Sequence, residues 1–129
     1  QALQTVTAAF CKPGRTRCTI TVSADAIRRL ARSQCVHLIH IAREAVSNSV
    51  RHGRASRVQV TLRPLREGVQ LAIRDNGHGF DPEAVMKRGD GLRNMRSRAT
   101  KIGGTLGIVS KPDSGTRIVV RFSAEDHHD

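Results

Sequence analysis

A period-two run of apolar residues, Val69, Leu71 and Ile73, ends in an unusual way: it closes on Asp75 and passes into RDNGHGF at 74–80. Alternation puts Asp75 on the same face as the three aliphatic side chains, the face that packs inward. A carboxylate there needs a hydrogen-bonding or charged partner, because an unpartnered buried polar group costs several kcal/mol. Gly77 and Gly79 then free the backbone for positive φ or for close approach of a ligand. Asp-Asn-Gly is also ordinary hairpin chemistry. These residues alone leave a surface turn and a binding site both open, and the rest of the chain must decide.

Residues 34–52 carry the strongest helical pattern. Leu38, Ile41, Ala42, Ala45, Val46 and Ser49 form one apolar or small-residue face, and Gly53 suits the stop. Glu44, Asn48, Arg51 and His52 share another face at spacings of three and four. Strands are expected at 18–22, 57–62, 68–75, 106–109 and 116–122, the second and third paired as a hairpin. A second helix is expected over 92–102, with Gly103-Gly104 as its stop, while 24–33 reads equally as a short helix or a loop. The order β-α-β-β-α-β-β predicts an α/β two-layer sandwich: a mostly antiparallel mixed sheet of about five strands, covered on one face by helices.

The length of 129 residues fits one domain with a real core, expected over about 16–123 and followed by a charged tail at 124–129. Three cysteines with no C-x-x-C argue against a disulfide framework or a zinc site and fit a reducing cytosol. No apolar run reaches membrane-span length and the N-terminus lacks a signal-peptide shape. The formal charge of +11 raises nucleic acid as a partner. The arginines, however, are spread along the chain, and Phe10, Phe80 and Phe122 lie far apart with no Trp or Tyr, so no stacking platform is visible. The basic surface is read as a solvated one, suited also to anionic small ligands or acidic partner proteins.

Three pieces carry chemistry: the Glu44–Asn48 helix face, the Asp75-x-Gly-x-Gly strand end, and the glycine-broken loop 87–91 that feeds a helix. A helix N-terminus preceded by glycines, here Gly89 and Gly91, favours anions through its free N–H groups and dipole. Asn48 offers a neutral oxygen suited to a Mg²⁺ whose other ligands are water and phosphate oxygens. Glu44, one turn earlier, can accept a proton or orient a water or acceptor group. Asp75 can accept a hydrogen bond from an exocyclic amine, and Thr116, sharing strand parity with Ile118 and Val120, can share that contact. The inventory describes a purine nucleotide with a metal-bound phosphate tail.

The segments REAVSNSVRHG, RDNGHGF and GDGLRNMRSRATKIGG, followed by SGTRIVVRF, resemble the N box and the two glycine boxes of the ATPase superfamily of gyrase, Hsp90, histidine kinases and MutL. Within it the chain is most similar to sensor histidine kinases of the nitrate-sensor and degradation-sensor branch, over roughly 16–122. The resemblance implies the Bergerat fold, with ATP and Mg²⁺ as cofactors and Asn48 as the Mg²⁺ ligand. It places Glu44 beside the γ-phosphate, with Arg51 and His52 on the phosphate side, although both also suit a solvated helix end. Asp75 becomes the adenine acceptor and Thr116 a second adenine contact. Gly77 and Gly79 become the hinge of a short lid over 80–91, Gly89 and Gly91 its phosphate-facing end. Leu92 is counted on the nucleotide side, though its spacing with Met95 also suits the core.

The implied function is γ-phosphoryl transfer to a histidine on a separate dimerisation domain of the same parent protein, a homodimer when full length, which then serves a cognate response regulator. The acceptor histidine of this branch is followed by an acidic residue; here His37 precedes Leu38 and His40 precedes Ile41, both inside the N-box helix. The chain is thus expected to be a cytoplasmic catalytic domain without its own acceptor, reaching a membrane only through upstream segments. Two alternatives stand beside this reading: an anti-sigma-factor-type serine kinase of the same superfamily, and a basic nucleic-acid-binding module, which has no use for Asp75, Gly77 and Gly79. A degenerate domain that binds ATP without acting on it is a third.

Overall fold

The structure is a computed structural model, and it describes residues 15–79 and 91–123. The chain runs β1 (Arg17–Val22), α1 (Ala24–Arg28), α2 (Arg32–Arg51), β2 (Arg57–Pro64), β3 (Gly68–Asp75), α3 (Gly91–Lys101), β4 (Gly104–Ser110) and β5 (Thr116–Ser123). The strands make one sheet in the order β1-β2-β3-β5-β4. β1 lies parallel to β2, and every other neighbouring pair is antiparallel. The expected mixed five-stranded sheet with helices on one face is the architecture observed.

Strand alternation explains which side is covered. Val58, Val60 and Leu62 of β2, Val69, Leu71 and Ile73 of β3, and Ile118, Val120 and Phe122 of β5 share the inner face, and all are buried. Against them α2 lays Leu38, Ile41, Ala42, Ala45 and Val46, the stripe foreseen from its periodicity, and α3 adds Leu92, Met95 and Ala99. Burying each large aliphatic side chain contributes about 1.5–3 kcal/mol, so this interface carries most of the fold's favourable free energy. Gln34 is a fully buried polar residue at the start of α2. Its Oε1 accepts from the Ala31 N–H at 2.9 Å and its Nε2 donates to Ser123 O at 3.5 Å, joining the helix entry to the end of β5.

The undecided stretch 24–33 resolves as helix α1 followed by a break. Ser23 caps it, its Oγ accepting from Ala26 N–H at 3.4 Å. Arg29 then turns away to donate from one guanidinium nitrogen to Leu65 O and Gly68 O, at 2.6 and 3.1 Å, which ties α1 to the β2–β3 turn. One expectation is corrected: Cys18 is disulfide-bonded, while Cys35 keeps a free thiol whose pKa is raised by burial. An odd count rules out complete pairing only; whether two cysteines meet depends on the distance the fold sets between them. Among the described residues no helix is long and apolar enough to cross a membrane.

Candidate functional site

Asp75 is the last residue of β3 and is half-buried, so the polar end of an apolar strand stands at the rim of the core. The partner its burial demanded is Ser49 on α2: the hydroxyl lies 2.5 Å from Asp75 Oδ2 and 3.0 Å from Ala45 O. Asp75 Oδ1 accepts the Gly77 N–H at 2.8 Å. Each carboxylate oxygen therefore has one protein donor and retains acceptor capacity for a ligand. Thr116 is the β5 residue directly opposite Asp75, and is buried. Its Oγ1 is 2.8 Å from Ser110 Oγ on β4, so Ser49, Asp75, Thr116 and Ser110 line one polar end of an otherwise aliphatic sheet.

The two glycines after Asp75 do different work. Gly79 has φ +68°, the left-handed region that an L side chain rarely enters. Gly77 is needed for space: a methyl group there would stand 2.6 Å from Gly53 O. The loop is held by the end of α2, His78 N–H donating to Gly53 O at 2.8 Å, and by the β4–β5 turn, where Asp113 N–H donates to His78 O.

Glu44 and Asn48, one turn apart on α2, are half-buried and converge on the first residue of α3. A methyl group on Gly91 would lie 3.2 Å from Glu44 Oε2 and 3.6 Å from Asn48 Nδ2, so Gly91 leaves these head groups uncovered. Arg51 is exposed and faces a cleft of about 590 Å³ between α2 and α3. Arg43, Arg98 and Lys101 also line that cleft, with Glu44 its one carboxylate among the described residues, which makes it a strongly cationic space. It reaches Glu44 and stops short of Asp75 and Thr116.

His52 is exposed at the end of α2, where its N–H donates to Asn48 O at 3.0 Å. Leu92 is 1% exposed and packs in the core, so its side chain supports α3 from beneath; here the helical spacing with Met95 outweighs the nucleotide-side assignment. Gly89 and the rest of the segment 80–90 lie outside the described residues. His37 and His40 sit on α2: His37 Nδ1 is 3.1 Å from an Arg98 guanidinium nitrogen, and His40 is exposed on the cleft.

Two supporting residues were not singled out from sequence. Ser49 was placed on the apolar face as a small residue; a signal was present, since Asp75 required a donor and Ser49 is the polar member of that buried stripe. Asn76 accepts at Oδ1 from the Ser56 and Arg57 N–H groups at 3.1 and 2.9 Å, and donates from Nδ2 to Ser56 Oγ at 2.9 Å. It thereby fixes the start of β2 beside the end of β3. Nothing in the sequence spacing marks that pairing.

Comparisons with known proteins bear on the family and the fold. A family model for "Histidine kinase-, DNA gyrase B-, and HSP90-like ATPase" matches residues 34–126. Sensor protein VraS of Staphylococcus aureus (strain COL) is 45% identical over 95 residues, 72% of this chain and 27% of that protein. VraS of Staphylococcus haemolyticus is 47% identical over 85 residues, 66% of this chain and 24% of that one. The chain thus spans about a quarter of the length of these curated relatives. The ATP-binding domain of PrrB from Mycobacterium tuberculosis superposes with a TM-score of 0.60 at 33% identity, covering 70% of this chain and 69% of that one. The histidine kinase domain of the Erythrobacter litoralis EL346 blue-light activated kinase shares the fold, with a TM-score of 0.78 at 15% identity over 95% of this chain and 57% of that one.

Proposed function

The chain belongs to the histidine kinase-, DNA gyrase B- and HSP90-like ATPase family, and from that premise we propose that it binds ATP with Mg²⁺ and presents the γ-phosphoryl group to a histidine on a separate domain of a two-component sensor kinase. The observation that carries the proposal is the half-buried Asp75 carboxylate, aligned by Ser49 and the Gly77 N–H with acceptor capacity to spare. An adenine amino group is a donor of the matching kind, and the Thr116 hydroxyl on the adjoining strand is a second polar contact for the base.

The phosphate tail belongs on the other side of α2. There the N-terminus of α3 offers a positive dipole end, and the cationic cleft adds Arg43, Arg51, Arg98 and Lys101. Asn48 is the residue to hold Mg²⁺: its carboxamide is a hard, neutral ligand beside the uncovered Gly91. When bound, that ion neutralises charge on the phosphate oxygens. Glu44 stands where it can orient the incoming acceptor or take its proton. The nucleophile is the partner's histidine, so this chain works by positioning and charge and contributes no covalent residue. The dimerisation domain that bears the histidine, the homodimeric parent, the response regulator and the cytoplasmic setting are parts of the same proposal. They are supported by the naming of the relatives as sensor proteins.

Calorimetric titration of ATP and ADP, with and without Mg²⁺, into the parent chain and Asp75→Asn tests it. Saturable binding that the variant loses is the expected result. Binding that survives the substitution would show the adenine contact to lie elsewhere.

A further inference from the structure

The helices cover one side of the sheet, and the other side is an arginine surface. Arg17, Arg57, Arg63, Arg74, Arg117 and Arg121 all occupy outward positions and are exposed. Among the described residues none of the six has a carboxylate partner. The described carboxylates lie elsewhere: Asp25 on α1, Glu44 on α2, Glu67 and Asp113 in turns, and Asp75 on the inner face. The ladder even sets like charges directly opposite one another, Arg17 against Arg57 and Arg74 against Arg117. Such pairs destabilise a sheet, and natural sheets ordinarily interleave opposite charges there.

The arginines also have a pattern. Thr61, Ala72, Val119 and Gly107 stand in register as a row of small side chains across the middle of the face. On one side of this row are Arg74 and Arg117; on the other, Arg63 and Arg121, the latter braced by Gln70 Oε1, which accepts from its Nε at 2.7 Å. Four residues of strand separate the two arginine rows, about 14 Å at the usual rise. That gap admits a single helix, about 10–12 Å across with its side chains.

We propose that this outer face of the sheet docks an acidic polypeptide segment of a partner protein, with small side chains over the central row and carboxylates reaching the arginines on both sides. Arginine is the cation that meets carboxylates two-pronged, and it loses less on desolvation than lysine. Other polyanions fit less well. Five strands each rotated by roughly 20–25° make a saddle, which cannot set all its arginines on a flat bilayer. Among the described residues no aromatic side chain stands on the face to stack nucleobases, and no helix or ribbon projects from it to enter a duplex groove.

The test uses a fluorescein-labelled helical peptide rich in glutamate and alanine, titrated into the 129-residue chain and into Arg74→Gln/Arg117→Gln. The expected result is saturable, salt-sensitive binding that the double variant weakens about tenfold or more, with amide shifts centred on Ala72 and Val119. Relief of the like-charge pair keeps the variant's melting temperature at or above the parent's. Should it fall, Arg17→Gln/Arg63→Gln serves as the second variant, with the same loss expected. The proposal is overturned if the parent does not bind the peptide, if both variants bind it like the parent, or if the shifts map to the α2–α3 cleft. It is equally overturned if phosphatidylserine vesicles or duplex DNA bind this face more tightly than the peptide.

Discussion

The Ser49 hydroxyl stands 2.5 Å from Asp75 Oδ2, linking the last turn of the long helix to the end of the central strand. That contact holds one carboxylate oxygen at the rim of the core while the Gly77 N–H holds the other. Ser49→Ala removes it while leaving the Gly77 N–H in place. Hydrogen bonds to charged groups are worth about 1.5–3 kcal/mol, so a loss of roughly 1–2 kcal/mol in a urea melt is expected. Adenine-nucleotide affinity should fall about tenfold in calorimetry. Unchanged ADP affinity would show that the serine aligns nothing.

Asn48 and Glu44 meet at Gly91, and Asn48 is the residue assigned to Mg²⁺. Asn48→Ala should leave Mg²⁺-free ADP binding within about twofold, because the base contacts proposed for Asp75 are on another element. It should abolish the gain in ATP affinity that Mg²⁺ confers, a loss of about tenfold or more. Titrations at matched ionic strength check both halves. A retained Mg²⁺ effect would remove Asn48 from the metal site.

Gly79→Ala forces a side chain into φ +68°, where an L residue costs roughly 1–2 kcal/mol before any clash. The added methyl also runs into the Lys111 carbonyl of the β4–β5 turn. The expected outcome is a melting temperature lower by several degrees. Differential scanning calorimetry gives the answer, and an unshifted melt would mean that this loop rearranges at little cost.

His37 gives the protein a pH dependence of definite sign. Its pKa is lowered first by burial, then by Arg98 and Lys101 on α3 and by His40 on its own helix. The folded state therefore binds the proton less readily than the unfolded chain, whose histidines titrate near about 6.5. The contribution of His37 to stability is full above that pH and declines as pH falls from the unfolded pKa through the lower folded one. His37→Gln should flatten this part of the profile of melting temperature against pH, and an imidazole NMR titration should place His37 lower in the folded protein than in the urea-unfolded chain. A His37 that titrates at or above its unfolded value would contradict the assignment.

Much of the fold could be read from local pattern. The apolar stripe of α2, Leu38 to Ser49, is buried as its periodicity implied, because a helix that buries one face against a sheet has little choice of which face. Alternation likewise sorted Val69, Leu71 and Ile73 from Gln70 and Arg74, although Gln70 is buried by Arg121 reaching across it from the next strand. Candidate site residues were visible because glycine spacing and a carboxylate on an inward face are local anomalies. Their partners were not, since Ser49 lies 26 residues from Asp75 and Asn76 lies 20 from Ser56.

What the sequence determined by itself was the alternation of elements, the inward faces, and the demand that Asp75 find a donor. Those follow from side-chain period and from the cost of an unpaired carboxylate, both local properties. The tertiary structure decided which donor answers, by docking α2 across the end of β3. It also decided that Glu44 and Asn48 meet Gly91, and that arginines dispersed along the chain gather on one face with no carboxylate among the described residues. Proximity between distant segments is set by packing and strand register, and no spacing along the chain records it.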